Sequence, residues 1–271
     1  MNQRKSLKEL NLLDKFLFDE AMDDPENVKT MLDIILSQNT NLKHPPQTEK
    51  EQRTSTDNRQ IRLDVYAIDE DDVIYEVEAQ KENTHNLPKR RRLYQGIIDS
   101  KLLPPGVVDF NLLNEVLIVL IMPFDLFGYG LYRYTFQMKC EEVPELKLDD
   151  GATRIFLNTR GKHPELVSPE LIELLKYMEH STDEISEACE SKRIQEMHRR
   201  VCQIKESEKA EVKYMQTWEE KILIKQEGER IGLERINRLN QKLIEQGRFD
   251  DLTKATSDSS YQEKLLKEFK I

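Results

Sequence analysis

Two adjoining β-patterned runs carry side chains that could hold a metal ion. Asp64 lies in the run 61–68, and Glu78 and Gln80 end the run 73–80. Magnesium and manganese take oxygen ligands and keep several waters when held by one or two carboxylates. Asp64 and Glu78 offer those carboxylates, and the backbone carbonyl of Ala79 offers a third oxygen. An ion bound there lowers the pKa of a water and offsets charge on a scissile phosphate. Gln80 could orient a water or phosphate by hydrogen bonding, but it cannot bring the positive charge of a lysine. Acids alternating with apolar residues also describe a hairpin with one solvated face, and the residue types alone leave that reading open.

The run Lys89-Arg90-Arg91-Arg92 is the second chemical feature. Four cations near the start of a helix oppose its dipole, so some anion should offset them. A phosphate backbone would do so, since arginine holds phosphate bidentately. Solvation, or pairing with Glu76 or Glu82, is the competing account. Asp14, on an N-terminal helix, could reach the sheet as a further acidic ligand, or be a partly exposed helix residue. Tyr94 reads from pattern as a core or edge aromatic. His85 and His163 stand alone in loops.

Positioning these groups makes demands on the elements. For Asp64 to lie across from Glu78, the hairpin connection must contain an odd number of residues, three or five around 70–72. The spacing predicts an amphipathic helix over 6–23, a second over 26–38, and a polar loop over 39–56 with room for one short strand. A helix over 88–102 should follow the hairpin and end at Pro104-Pro105-Gly106. Strands are expected at 115–122, buried on both faces, and at 131–138 and 153–158. Ser168-Pro169-Glu170 is a helix start with hydroxyl cap, proline and acid in order. Beyond it the chain is charged and helical, with a broken apolar stripe at Ile222, Ile236, Leu239 and Leu243, and two short helices at the end. This order predicts an α/β fold, a mixed sheet flanked by helices, with a helical C-terminal extension.

The chain has 271 residues, a net charge of −10 and 34% charged residues. That charge argues against nucleic-acid binding over the whole surface and leaves room for a local basic patch. The longest apolar run, 116–122, is far short of the roughly 20 residues of a membrane span, so no membrane partner is expected. The three cysteines, Cys140, Cys189 and Cys202, show no metal-type spacing and suit reduced thiols in a cytoplasmic protein.

The segments IRLDVYA, EVEAQ and LPKRRRLYQGIID, with LNLLDKFLF, VLIVLIMPFDLFGYGLYRYTF, RIFLNTRG, VKYMQTWEE and the closing GRFDDL and YQEKLLKEF, together resemble the Rpn-type recombination-promoting nucleases. These are also described as PD-(D/E)XK nuclease family transposases, and the resemblance covers most of the chain. It implies a restriction-endonuclease-like core over 1–165 and a helical region over 166–271 that could assemble copies of the chain or target DNA. It implies Mg2+-dependent DNA cleavage, with Mn2+ as a substitute. Asp64, Glu78 and Gln80 match the family's active-site positions, Asp14 an acidic position in its first helix, and Arg90, Arg92 and Tyr94 its post-hairpin helix. Glutamine stands where the superfamily usually has lysine, and Asp72 stands where the hairpin turn often has glycine. The alternative is a nuclease-shaped interaction module of weak or no activity.

Overall fold

A computed structural model describes residues 4–52 and 61–271. The end of the expected 39–56 loop, from 53 onward, lies outside the described residues. Contacts divide the chain into two compact units, Met1–Glu211 and Val212–Ile271.

The first unit is built on a six-stranded sheet. Its strands are β1 (Gln47–Gln52), β2 (Ile61–Ile68), β3 (Ile74–Ala79), β4 (Val116–Met122), β5 (Arg133–Phe136) and β6 (Ala152–Asn158), in the order β1-β2-β3-β4-β6-β5. The first three run antiparallel in succession, β3, β4 and β6 run parallel, and β5 returns antiparallel on β6. A parallel neighbour needs a crossover, and α3 (Leu87–Asp99) supplies it between β3 and β4. Its Ile97 and Ile98 pack with Leu63, Ile74, Val116 and Ile118. The central strand β4 is apolar throughout, as a strand covered on both sides must be.

The β2–β3 hairpin has the odd connection that the metal reading requires. Ile68 pairs with Ile74, leaving five residues between them. The Asp69 carboxylate accepts hydrogen bonds from the N–H groups of Asp71 (3.0 Å) and Val73 (2.9 Å) and from the Tyr75 hydroxyl (2.6 Å). Asp72 takes φ +62, the left-handed conformation in which glycine is usual. Lys43 pairs with its carboxylate at 2.6 Å, and Asn114 donates to its carbonyl at 2.7 Å. The turn is therefore held by side chains in place of a glycine.

The N-terminal helix forms differently from the expected 6–23 span. A 3-10 turn, Leu7–Glu9, is closed by a Ser6/Glu9 capping box, and α1 starts only at Lys15 (Lys15–Met22). The backbone N–H groups between are drawn elsewhere: Leu12 donates to the Ser181 hydroxyl and Leu13 to the Met178 carbonyl. Tertiary bonds thus replace one continuous helix, and Asp14 becomes the N-cap residue of α1. The next helix, α2 (Pro25–Leu36), is capped by Asp24, which accepts from Glu26 N–H.

The helices after Ser168 belong with the sheet. These are α4 (Pro169–Glu179), α5 (Asp183–Ala188) and α6 (Lys192–Lys205). The Ser168 hydroxyl accepts from Leu171 N–H, as its sequence predicts. Buried Leu171, Leu174, Met178, Ile194, Met197 and Val201 cover the apolar side of α1 and α2. The boundary between compact units consequently falls after Glu211, not at 165/166. The helical character beyond 166 is as expected, but its first part completes the core of the sheet unit.

In the second unit, Leu239 and Leu243 of α7 (Glu208–Glu245) pack with Ala255 of α8 (Phe249–Ser257) and Leu265 of α9 (Ser259–Glu268). Gly228 and Gly232 sit inside α7 without breaking it. Gly247, at φ +67, lies just past its end. Among the described residues, no helix is long and apolar enough to cross a membrane.

Candidate active site

Both β ladders lapse at Asp64. The β2–β3 pairing stops at Val65–Val77, one residue short of an Asp64–Glu78 pair. The β1–β2 pairing skips from Thr48–Val65 to Lys50–Leu63, passing over Glu49, which adopts φ +48. The register is the same on either side of the β1–β2 gap, so only the pairing lapses and no residue is inserted. A cleft of about 670 Å³ lies here, and its lining includes Asp64, Glu78, Ala79 and Gln80. Alternation along β3 turns the Ala79 carbonyl toward β2, beyond the point where the ladder has ended.

Asp64 and Glu78 are each held by a cation. Asp64 accepts from Lys15 Nζ at 2.7 Å, and the same ammonium binds Asp19 at 2.9 Å. Glu78 is gripped from two sides, by Arg90 and by Arg91, and Arg90 also donates to the Gln80 carbonyl oxygen. Gln80 Nε2 donates to the Glu82 carbonyl at 2.6 Å. Beneath them, Arg91 forks onto both oxygens of Glu76, at 2.9 and 3.1 Å, with both side chains fully buried. The Tyr94 ring stacks on this guanidinium, 4.1 Å from centroid to carbon.

Burial sets the protonation of this assembly. It pushes the Asp64 carboxyl up; Lys15 opposes this, and the nearby charge of Glu78 adds to it. Asp19 is pushed up to about 7, again by burial against the pull of Lys15, with Asp64 and Glu49 adding to the rise. Burial alone would lower Lys15, but Asp64 and Asp19 outweigh it and hold the ammonium above its usual range. Burial raises Glu76 too, against Arg91, with Glu78 and Asp64 pushing the same way. Too many acids share too little water, so each proton or cation gained by one relieves the rest.

The expected site residues fall into three groups. Asp64, Glu78, Ala79 and Gln80 come together at one cleft, and Arg90 and Tyr94 line it with them. Asp14 does not join them: it pairs with Lys81 at 2.5 Å and bonds Asn11 N–H. Arg92 is exposed and does not line the cleft. Within the basic run, Arg91 pairs with Glu76, one of the two acids weighed against phosphate binding from sequence, and Arg90 and Arg91 both pair with Glu78, which was not weighed there.

Lys15, Asp19 and Arg91 carry parts that the sequence did not single out. Asp19 and Lys15 stand four apart on α1, an ordinary helical ion pair until the fold brings Asp64 to it. Arg91 was one of four adjacent cations. Its distinguishing mark is the three-residue spacing from Tyr94 and Leu87–Arg91–Gln95 periodicity, which put it on the buried side of α3.

Five cationic side chains line the cleft (Lys15, Arg62, Lys81, Lys89 and Arg90) against three acidic ones (Asp64, Glu78 and Glu82). The local balance is thus the reverse of the chain's net −10 and suits an anionic ligand. Compared with models of known protein families, with curated proteins and with solved structures, the chain matches none.

Proposed function

We propose that the chain is a Mg2+-dependent endodeoxyribonuclease with a restriction-endonuclease-like core, of the recombination-promoting nuclease type. One observation carries this reading: Asp64 and Glu78, from adjoining strands, line one cleft where both ladders lapse, together with five cationic side chains.

The donor set fits a hard divalent cation. Two carboxylates and the Ala79 carbonyl supply oxygens, and among the described residues neither imidazole nor thiol lines the cleft. When bound, such an ion supplies an acidified water and offsets charge on the scissile phosphate. The protein's own groups do the rest. Lys15 and Arg90, which neutralise Asp64 and Glu78, would turn to the phosphate. Lys81 and Lys89 attract the DNA backbone, in a manner weakened by salt. Arg91, locked on Glu76, fixes the Glu78 carboxylate, and Gln80 orients water or phosphate through its amide.

The competing reading, an interaction module without turnover, draws on the Arg90 bridge between Glu78 and Gln80, which closes the carboxylate edge. Plasmid cleavage with Mg2+ or Mn2+ separates the two. Wild type nicks or linearises the plasmid, and Asp64→Ala does not. Cleavage that survives the substitution unchanged rejects the site, and a wild-type protein inert with both metals favours the interaction module.

A further inference from the structure

A second cluster, on the helices of the first unit, has different chemistry. Asp183 begins α5, and His198 and Cys202 stand four apart on α6, so both project from one side of that helix. His198 Nε2 is 2.9 Å from Asp183 Oδ1 and 3.4 Å from Cys202 Sγ, and Sγ is 3.9 Å from Oδ1. Among the described residues, this is the one group of three or more His, Cys, Asp or Glu whose ligand atoms converge within 4.8 Å.

We propose that Asp183, His198 and Cys202 form a zinc-class metal site, with solvent completing the tetrahedron, distinct from the oxygen-lined cleft.

The edges of the donor triangle carry the argument. Zinc bond lengths of about 2.0–2.1 Å to nitrogen and oxygen and about 2.3 Å to sulfur give tetrahedral edges of about 3.4 Å for N···O and about 3.5 Å for N···S and O···S. Each observed separation lies within about half an ångström of its edge. Sγ also lies 3.9 Å from Nδ1, beside the ring, so binding requires the Cys202 side chain to turn toward the Nε2 lone pair. The donor set also fits: imidazole, thiolate and carboxylate together select zinc over magnesium.

The imidazole is oriented from behind. Its Nδ1 lies 3.0 Å from the hydroxyl of Tyr177, a residue fully buried in α4. With Nε2 on the metal, Nδ1 keeps the proton and donates it to that oxygen, the arrangement that fixes tautomer and ring plane in metal-bound histidines. Cys202 loses its thiol proton to solvent as the metal binds. A cysteine–histidine–aspartate relay is a poorer account. There the nucleophile and the orienting acid take opposite ring nitrogens, whereas here both approach Nε2. The three ligands face a pocket of about 290 Å³. Lys205, on its wall, donates its ammonium to the Ser181 carbonyl at 2.7 Å and is near enough to Cys202 and Asp183 for its charge to act on both.

The test uses the full-length chain stripped with a chelator. Zn2+ is titrated in competition with a chromophoric chelator, and Co2+ is added separately as a spectroscopic probe. Wild type takes up one equivalent of Zn2+, and its Co2+ form shows thiolate-to-cobalt charge transfer with tetrahedral d–d bands. Cys202→Ser abolishes the charge transfer. Asp183→Asn weakens Zn2+ at least about tenfold, and Tyr177→Phe, which removes only the hydroxyl behind the ring, weakens it by about the same factor. The Asp183 side chain is 84% exposed, so its amide variant leaves packing untouched. Asp64→Ala binds Zn2+ as wild type does. The proposal is overturned by a wild type that takes up no Zn2+, by a charge-transfer band that survives Cys202→Ser, or by Asp183→Asn binding as tightly as wild type.

Discussion

The cleft at Asp64 and the cluster at Asp183 gather side chains whose atoms could hold a cation, and they do so in opposite ways. In the cleft the groups are hard oxygens on strands, buried, and interleaved with Lys15, Arg90 and Arg91. In the cluster they are mixed donors on helices, half open to solvent, and touched by neutral Tyr177. The contrast teaches that a buried set of carboxylates needs standing counter-charges to fold at all. A shallow set open to water does not, because solvent screens the one carboxylate it holds.

The sharpest way to break the comparison is to cross the variants with the two readouts. Asp64→Ala or Glu78→Ala should cut DNA cleavage about a thousandfold, the effect of losing roughly 4 kcal/mol of metal-borne stabilisation at the phosphate. Neither should change Zn2+ uptake. Cys202→Ser should do the reverse, losing zinc-class binding and retaining Mg2+-dependent cleavage. Gel assays and metal titrations on the same three proteins check this. A cysteine variant that also stops cutting would merge the two sites into one.

Stability sharpens the same contrast. Arg91→Met leaves Glu76 buried without its partner and should cost about 3–5 kcal/mol in urea unfolding. Replacing Glu76 with Met as well should recover much of that loss, because two apolar side chains need no counter-charge, while Glu78 keeps Arg90. A single Arg91→Met variant as stable as wild type would show that the fold does not depend on this pair. No comparable loss is expected from Asp183→Asn.

How much of each site the sequence revealed follows from how far apart its parts lie. The hairpin site was legible because strand alternation and an odd connection fix Asp64 against Glu78 within a span of fifteen residues. The central strand, the crossover helix and the capped start at Ser168 were legible for the same local reasons. The 6–23 helix was misread, with Asp14 inside it and not at the start of α1, because distant partners, Ser181 and Met178, claim the backbone at Leu12 and Leu13. Arg91 was hidden among identical neighbours, since periodicity tells which side of a helix is buried but not which acid waits beneath it. In the cluster, His198 and Cys202 show helical spacing, whereas Asp183 arrives through the packing of α5 on α6. The three cysteines carry no metal-type spacing among themselves, and the signal lies in the histidine four residues before Cys202.

Ligand protection gives a smaller effect that again separates the regions. At a free Zn2+ concentration about a hundredfold above the dissociation constant, wild type should gain about 2.7 kcal/mol against unfolding. Asp183→Asn should gain far less at the same concentration, and Asp64→Ala should gain as much as wild type. Equal protection of all three would mean that Zn2+ stabilises the chain from somewhere else.

The smallest expected effect concerns Asp19, which faces Lys15 opposite Asp64. Its folded pKa of about 7 lies above the ordinary carboxylate value of 3.8. The folded state therefore holds a proton that the unfolded state has already released. Stability from this group is full below about pH 4, falls as pH rises through the interval, and is lost above about 7. Asp19→Asn removes that dependence. Its stability relative to wild type should be nearly flat below pH 4 and rise to an advantage of about 1–2 kcal/mol at pH 8, a figure reduced because Lys15 still screens the carboxylate. Mg2+ uptake in wild type should strengthen over the same interval, as Asp19 loses its proton and frees Lys15 from sole charge of Asp64. Urea midpoints of the two proteins from pH 4 to 8 decide the matter. A difference that does not grow with pH would mean that Asp19 is ionised throughout, and that the crowding of charge around Asp64 is weaker than its burial implies.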